Sequence, residues 1–328
     1  MQALICNSFG PIHQLKIEEV PDPAPKPHQV VIDVAYAAVN FPDALVVQGL
    51  YQNKPPFPFS PGNEMSGVIT ALGTEVKHLH VGQRVFGYSS HGGFAQKIAL
   101  DASNVMPLPD AMSLAIGSAI TLTYGTSLHA LQNIAKLQAN ETLLVLGASG
   151  GVGIAAVELA KIMGAQVIAC VSTPEKGAFC KEMGADHVIL YETEDMKSRI
   201  KDLTEGRGVN VVYDGVGGKH AETALRSLSW RGRFLVVGFA SGEIPKIPLN
   251  LALLSERNMM GVFWGEWTRR NFKEHLQNMD LISQWIKDGS LRPVITKTYP
   301  FEDAVQAIEH LASRSAMGKV VIEINANL

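Results

Sequence analysis

The chain is poor in cysteine. Its three, Cys6, Cys170 and Cys180, are too few and too scattered for a disulfide framework or a structural zinc knot. It also lacks an excess of positive charge: 28 Lys and Arg stand against 31 Asp and Glu, for a net charge of −3. That excludes a broad basic field for gripping phosphate backbones, and nucleic acid is not an expected partner. No apolar run reaches the roughly 18–20 residues that a membrane helix needs, so no membrane partner is expected. The start, MQALICNSFGP, lacks the charged-then-apolar layout of a signal peptide. A soluble, reduced, cytoplasmic protein is the expectation. Metal ligands are sparse as well. A catalytic zinc needs three converging Cys, His or acidic side chains, and the stretch SPGNEMSG supplies only Glu64, because Asn63 does not replace an imidazole. His78 and His80 lie in a polar stretch that reads as an exposed turn, and the other histidines are scattered. No metal is expected.

What is present is an ordinary globular balance, 46% hydrophobic and 18% charged over 328 residues, enough for about two domains. Up to about Leu108 the apolar runs are short and broken by Gly and Pro: VVIDVAYAAV, MSGVITALG, RVFGYSS, GFAQKIAL. Such runs predict β-strands joined by turns, with loops at Pro21–Pro27 and Pro55–Pro61. After SLAIGSAITLTYGTSLHALQNIA, a helix-compatible stretch, near-continuous apolar strands alternate with helices: LLVLG, QVIACV, HVILY, VNVVYD and RFLVVGF. This alternation predicts a doubly wound parallel sheet covered on both faces, an α/β domain beside a β-rich one. Gly164 and Gly184 stand where helices end and strands begin, the place of a C-terminal cap. From about residue 263 the alternation loosens. The expected division is therefore a β-rich domain over 1–121, a nucleotide-binding domain over 122–262, and a segment over 263–328 that returns to the first domain.

The sharpest local signal is LLVLGASGGVG, Leu143–Gly153, between a buried strand and a helix. Ala148, Gly150 and Gly153 form an A-x-G-x-x-G version of the dinucleotide fingerprint. Small residues let the backbone approach a pyrophosphate, and the helix start offers free N–H donors. An NAD-preferring site places Asp or Glu at the end of the next strand to bind the ribose hydroxyls. Here Ser172 and Thr173 stand at that point with Lys176 just beyond, whereas Glu175 fits the first turn of the next helix. Hydroxyls and an ammonium favour a 2′-phosphate. The expected cofactor is NADPH.

The chain resembles the zinc-independent quinone oxidoreductase branch of the medium-chain dehydrogenase/reductase superfamily. The resemblance rests on VNFPDALVVQGLY, SPGNEMSGVITALG, GGFAQ, GASGGVG, EKGAFCKEMGADHVILY, VVYDGVGG and GKVVIEI, in this order along the whole chain. It implies a GroES-like catalytic domain, a Rossmann domain and NADPH. By position it places Asn40 and Thr126 near the nicotinamide and Tyr51 at the substrate mouth. Ala148, Ser149, Gly150, Gly151 and Val152 would cradle the pyrophosphate, and Ser172, Lys176 and Tyr191 would surround the 2′-phosphate. The strand near Phe239 and the segment around Phe263 would border the nicotinamide amide. The resemblance also implies a homodimer paired through an edge strand, for which IPLNLALLSERNMMGVFW is apolar enough. Leu45 and the bulky run VFWGEW depart from the pattern and leave substrate size open.

The implied reaction is hydride transfer to a small electrophile, a quinone or an α,β-unsaturated carbonyl compound, which then becomes oxyanionic. Without a metal, that charge must be met by hydrogen bonds and fixed geometry, and Tyr51 and Asn40 are the polar side chains in the right motif. Each has a structural alternative. Asn40 opens the turn sequence Asn-Phe-Pro-Asp, Tyr51 packs a loop, and Thr126 bonds its own helix. Asp43 reads as a helix N-cap and Glu64 as a buried group holding a loop. Two other functions stay open at this point: an enoyl-thioester reductase, for whose carrier arm the pair Arg269 and Arg270 would supply a basic channel unless it only marks an exposed helix start, and a non-enzymatic NADPH-binding redox sensor.

Overall fold

The computed structural model of the chain describes residues 1–325 and 327–328. The chain forms β1 (Gln2–Ile5), β2 (Lys16–Glu19), β3 (Gln29–Val39), α1 (Phe41–Val47), β4 (Glu64–Leu72), β5 (Arg84–Tyr88), β6 (Lys97–Asp101) and β7 (Val105–Pro107). Short helices α2 (Leu114–Gly117) and α3 (Thr121–Leu128) follow, and α3 runs on as a π-helical turn over His129–Ile134. Then come β8 (Thr142–Leu146), α4 (Gly151–Ile162), β9 (Gln166–Val171), α5 (Pro174–Glu182), β10 (His187–Leu190), α6 (Met196–Leu203), β11 (Val209–Asp214) and α7 (Ala221–Arg226). The chain continues through β12 (Leu228–Val236), α8 (Asn250–Leu253), β13 (Asn258–Gly261), α9 (Trp264–Arg270) and α10 (Phe272–Lys287). It closes with β14 (Ile295–Pro300), α11 (Ala304–Ala312) and β15 (Lys319–Glu323).

Two compact units result, one of residues 1–122 with 292–328 and one of residues 123–291. The first is built on a sheet in the order β14-β15-β3-β4-β5-β7, with β6 pairing β3. Strand β3 is its spine, 11 residues long and kinked by two register shifts, so that β15, β4 and β6 all pair with it. The second is a six-stranded, all-parallel sheet in the order β10-β9-β8-β11-β12-β13. Its central strands are buried on both faces, so they read as unbroken apolar runs: Leu143 to Val145 and Val167 to Ala169 have no exposed surface. Burying each such leucine or isoleucine contributes about 1.5–3 kcal/mol. Gly164 and Gly184 follow α4 and α5 with φ of +79° and +103°, the left-handed conformation that a helix-ending glycine supplies.

The fold class agrees with the sequence pattern, but the division of the tail does not. The loosened alternation predicts the return from residue 263, whereas only residues 292–328 go back to the first unit. Helices α9 and α10 stay with the second. The reason lies in α10, whose His275, Asn278, Met279 and Ile282 form one buried stripe at helical spacing. Asn278 donates to Asn133 at 2.8 Å and accepts from Gln132 at 3.3 Å, tying α10 to the π-helical turn of its own unit.

Candidate functional site

In the second unit the strand order reverses beside β8, since β9 lies on one side of it and β11 on the other. The turn after β8 therefore opens at the switch point where doubly wound sheets bind ligands. Three glycines shape it, each differently. Gly147 has φ +66°, and a Cβ there would meet Val216 Cγ2 at 2.6 Å. At Gly153 a Cβ would meet the Gly147 carbonyl oxygen at 2.3 Å, so helix and turn touch backbone to backbone. Gly150 differs: a Cβ there meets nothing nearer than that same oxygen at 3.5 Å. It is the N-cap of α4, and no side chain caps the helix, so the first-turn N–H groups are left for a phosphate. A dinucleotide pyrophosphate fits this cradle. Ala148 and Ser149 are buried in it, and Gly151 and Val152 begin the helix.

The neighbouring loops converge on the same carboxyl edge. Asp214, buried at the end of β11, accepts the N–H groups of Val216 and Gly217 at 2.8 Å each, which fixes the turn that Gly147 abuts. Past β9, Thr173 caps α5 by accepting the Lys176 N–H, and Glu175 occupies the first turn. The Lys176 ammonium reaches back to the Ser172 hydroxyl at 3.3 Å. Tyr191 follows β10, bonds the Val171 carbonyl through its N–H and packs against His220, with ring centroids 4.5 Å apart and planes tilted by 44°. Ser172, Lys176 and Tyr191 thus lie at the adjacent ends of β9 and β10 without an Asp or Glu at the end of β9. Phe239 is not on a strand as expected but in the loop after β12, and exposed Phe263 precedes α9. Thr126 sits in α3 beside Gly125, against which the Trp264 ring packs so closely that a Cβ would lie 3.0 Å from it.

In the first unit the register of three strands assembles a different kind of site. Val320 pairs with Val39 and Ala38 with Glu64, which brings Lys319, Asn40 and Glu64 side by side across β15, β3 and β4. All three are buried. The Lys319 ammonium donates to Glu64 Oε1 and Asn40 Oδ1, both at 2.7 Å. Asn40 Nδ2 donates to Glu64 Oε1 at 2.9 Å, and the Leu122 N–H donates to Glu64 Oε2 at 2.9 Å. Asn40 is also the N-cap of α1, and Asp43 is its third helical residue rather than the N-cap expected from the sequence. The Asp43 carboxylate accepts the Asn40 N–H at 2.7 Å and the Gly62 N–H at 3.2 Å. Burial pushes its pKa up to about 7, against the lowering by those two donors and by Lys319. Half-buried Tyr51 packs on the apolar core of the unit. Its hydroxyl is raised by burial and by nearby Asp43, so it stays protonated at neutral pH.

Lys319 is the member that the sequence pattern did not single out, since a lysine opening an apolar strand looks like an exposed strand end. Glu64 is buried and hydrogen-bonded as its structural alternative required, and His78 and His80 lie exposed between β4 and β5. Among the described residues, no three His, Cys, Asp or Glu side chains come together as a metal ion would need. No helix among them is long and apolar enough to cross a membrane.

Comparison with known proteins agrees with both units. Residues 26–110 match the alcohol dehydrogenase GroES-like domain, and residues 151–281 match the family described as zinc-binding dehydrogenase. Quinone oxidoreductase-like protein 2 of Bos taurus is 36% identical over 94% of this chain and 89% of its own. Quinone oxidoreductase of Rattus norvegicus is 33% identical over 98% and 97%. The crystal structure of Escherichia coli quinone oxidoreductase complexed with NADPH is 27% identical, covers 99% of this chain and 100% of its own, and superposes with a TM-score of 0.92.

Proposed function

We propose that this chain, which belongs to the quinone oxidoreductase-like branch of the medium-chain dehydrogenase/reductase superfamily, is a zinc-independent reductase that uses NADPH to reduce quinones or α,β-unsaturated carbonyl compounds. The observation that carries the reading is the end of β9, where Ser172 and Lys176 meet beside Tyr191 in place of a carboxylate. A carboxylate there would repel a 2′-phosphate, whereas a hydroxyl, a phenol and an ammonium hold one. When bound, NADPH supplies the hydride.

The chain's own residues do the rest. The α4 N-terminus and the Ala148–Val152 backbone hold the pyrophosphate, and Thr126, Phe239 and Phe263 border the nicotinamide end. Protonated Tyr51 donates a hydrogen bond to the oxygen that gains charge on the substrate. The Asn40 amide is engaged by Lys319 and Glu64, so Asn40 serves as a fixed wall and helix cap rather than as a donor to the substrate. The three free, buried cysteines suit a reducing, cytoplasmic setting. A second copy of the chain is the proposed partner. Among the described residues edge strand β13 has one unpaired side, and Leu249, Leu253 and Leu254 near it are 67–77% exposed.

The test is NADPH consumption, followed by nicotinamide absorbance, with an ortho-quinone, a para-quinone, a small enone and a short enoyl-CoA. NADH and a chelator run in parallel. Turnover of a quinone or enone that prefers NADPH and ignores the chelator supports the proposal. Turnover confined to the enoyl-CoA shifts the assignment to thioester reduction, and loss of activity with chelator overturns the metal-free reading. NADPH binding without any turnover points to a sensor.

A further inference from the structure

The cluster of Lys319, Glu64, Asn40 and Asp43 is more than the packing of a sheet requires. The Lys319 ammonium has three N–H donors, and it directs one to Glu64 Oε1 and a second to the Asn40 amide oxygen, so it ties the carboxylate to the cap of α1. Asn40 in turn caps α1, the helix that carries Asp43 and leads through Gly49 to Tyr51. Two carboxylates, Glu64 and Asp43, share this interior with one ammonium, so the charge on Asp43 depends on the pair beside it. The groups that act on Asp43 are the N–H groups of Asn40 and Gly62, the Lys319 ammonium and the Glu64 carboxylate, and Asp43 in turn acts on Tyr51.

Resting on the reductase reading above, we propose that Lys319 is a positioning residue of the active site: its ammonium pins Asn40 and Glu64 across three strands and sets the charge balance around Asp43 beside Tyr51. The contribution is opposite in sign to that of Glu64, since Lys319 favours ionised Asp43 and Glu64 disfavours it. Packing of the pair alone, with no bearing of the Asp43 charge on turnover, would give no opposed shifts in the pH profile of kcat.

The experiment compares wild type with Lys319→Met, Lys319→Arg and Glu64→Gln, each checked for native circular dichroism, with kcat and KM measured from pH 5 to 9. For Lys319→Met, kcat falls about 10–100-fold, the loss expected when reacting groups are held slightly out of place, and KM for NADPH changes by less than about twofold. The midpoint of the pH profile moves up in Lys319→Met and down in Glu64→Gln, and Lys319→Arg restores most of the wild-type rate. Shifts in the same direction, or none, overturn the proposal. Should Lys319→Met not fold, the downward shift in Glu64→Gln and the behaviour of Lys319→Arg decide it. If wild type reduces none of the acceptors, the functional reading fails by itself. The charge assignment is then read from the 13C carboxyl titration of Asp43 in the same variants, where the same opposed shifts support it and their absence overturns it.

Discussion

The two units prepare their sites by opposite means. In the second, the cradle is made by leaving side chains out: Gly147, Gly150 and Gly153 lie within seven residues, and their backbone is left open. In the first, the site is framed by putting charge in: an ammonium and two carboxylates are buried and satisfied by hydrogen bonds. A backbone cradle is local and tolerates no added atom where chain touches chain. A buried charge cluster is assembled from far apart and is sensitive to sign rather than to size.

The strongest way to break the first half of that comparison is Gly153→Val. Its Cβ would sit 2.3 Å from a backbone oxygen that cannot yield without moving the turn. A loss of about 4 kcal/mol or more is expected, in the range of backbone-level disruption, together with NADPH binding. Thermal unfolding and fluorescence titration measure the two. Gly150→Ala sharpens the point, because its methyl group has free space in the chain itself. It leaves unfolding within about 1 kcal/mol of wild type while weakening NADPH binding, since the methyl group stands where the phosphate approaches.

The charge half breaks through pH. Asp43 has its folded pKa raised from 3.8 to about 7, so between these values the folded chain holds a proton that the unfolded chain has released. Its contribution is complete below the unfolded pKa and is lost as pH rises through the folded one, by about 4 kcal/mol in all. Asp43→Asn removes that slope whatever it does to absolute stability. Urea unfolding at several pH values between 4 and 8 reads it. A wild-type slope that survives the substitution contradicts the assignment.

This contrast also explains what was legible in the chain. The glycine turn, the parallel strands and the carboxylate-free end of β9 are each written in a few consecutive residues, and local pattern sufficed to find them. The Lys319–Asn40 bond joins residues 279 positions apart, and nothing near Lys319 distinguishes it from a strand-end lysine. Asp43 reads as the cap from the sequence because Pro42 suits either of the first two helical residues, and only Asn40 bonding to its neighbours decides the register. The sequence pattern divides the tail too early because the stripe of α10 shows that the helix is covered without showing by which unit.

A smaller effect separates charge from shape inside the cradle itself. Lys176→Ala removes the ammonium beside Ser172 and leaves the turn and helix in place. The expected cost is about tenfold in NADPH affinity, the scale of one partly exposed charge-assisted bond, with NADH affinity unchanged. Ser172→Asp goes further and favours NADH over NADPH. Parallel titrations with both cofactors measure the ratio, and equal losses for the two cofactors contradict the 2′-phosphate assignment.

The smallest effect tests whether Thr173, one residue from Ser172, belongs to the cofactor or to the fold. Its hydroxyl already accepts the Lys176 N–H as the cap of α5, so it is spoken for by the helix. Thr173→Ala therefore lowers stability by about 1 kcal/mol, the usual cost of a lost N-cap. NADPH affinity should stay within about twofold of wild type, because the change reaches Lys176 only through its backbone. A lower melting temperature with unchanged affinity places Thr173 with the scaffold. A loss of affinity larger than the loss of stability would move it into the phosphate site with its neighbour, and the side-chain part of the cradle would then be one residue wider than the hydrogen bonds indicate.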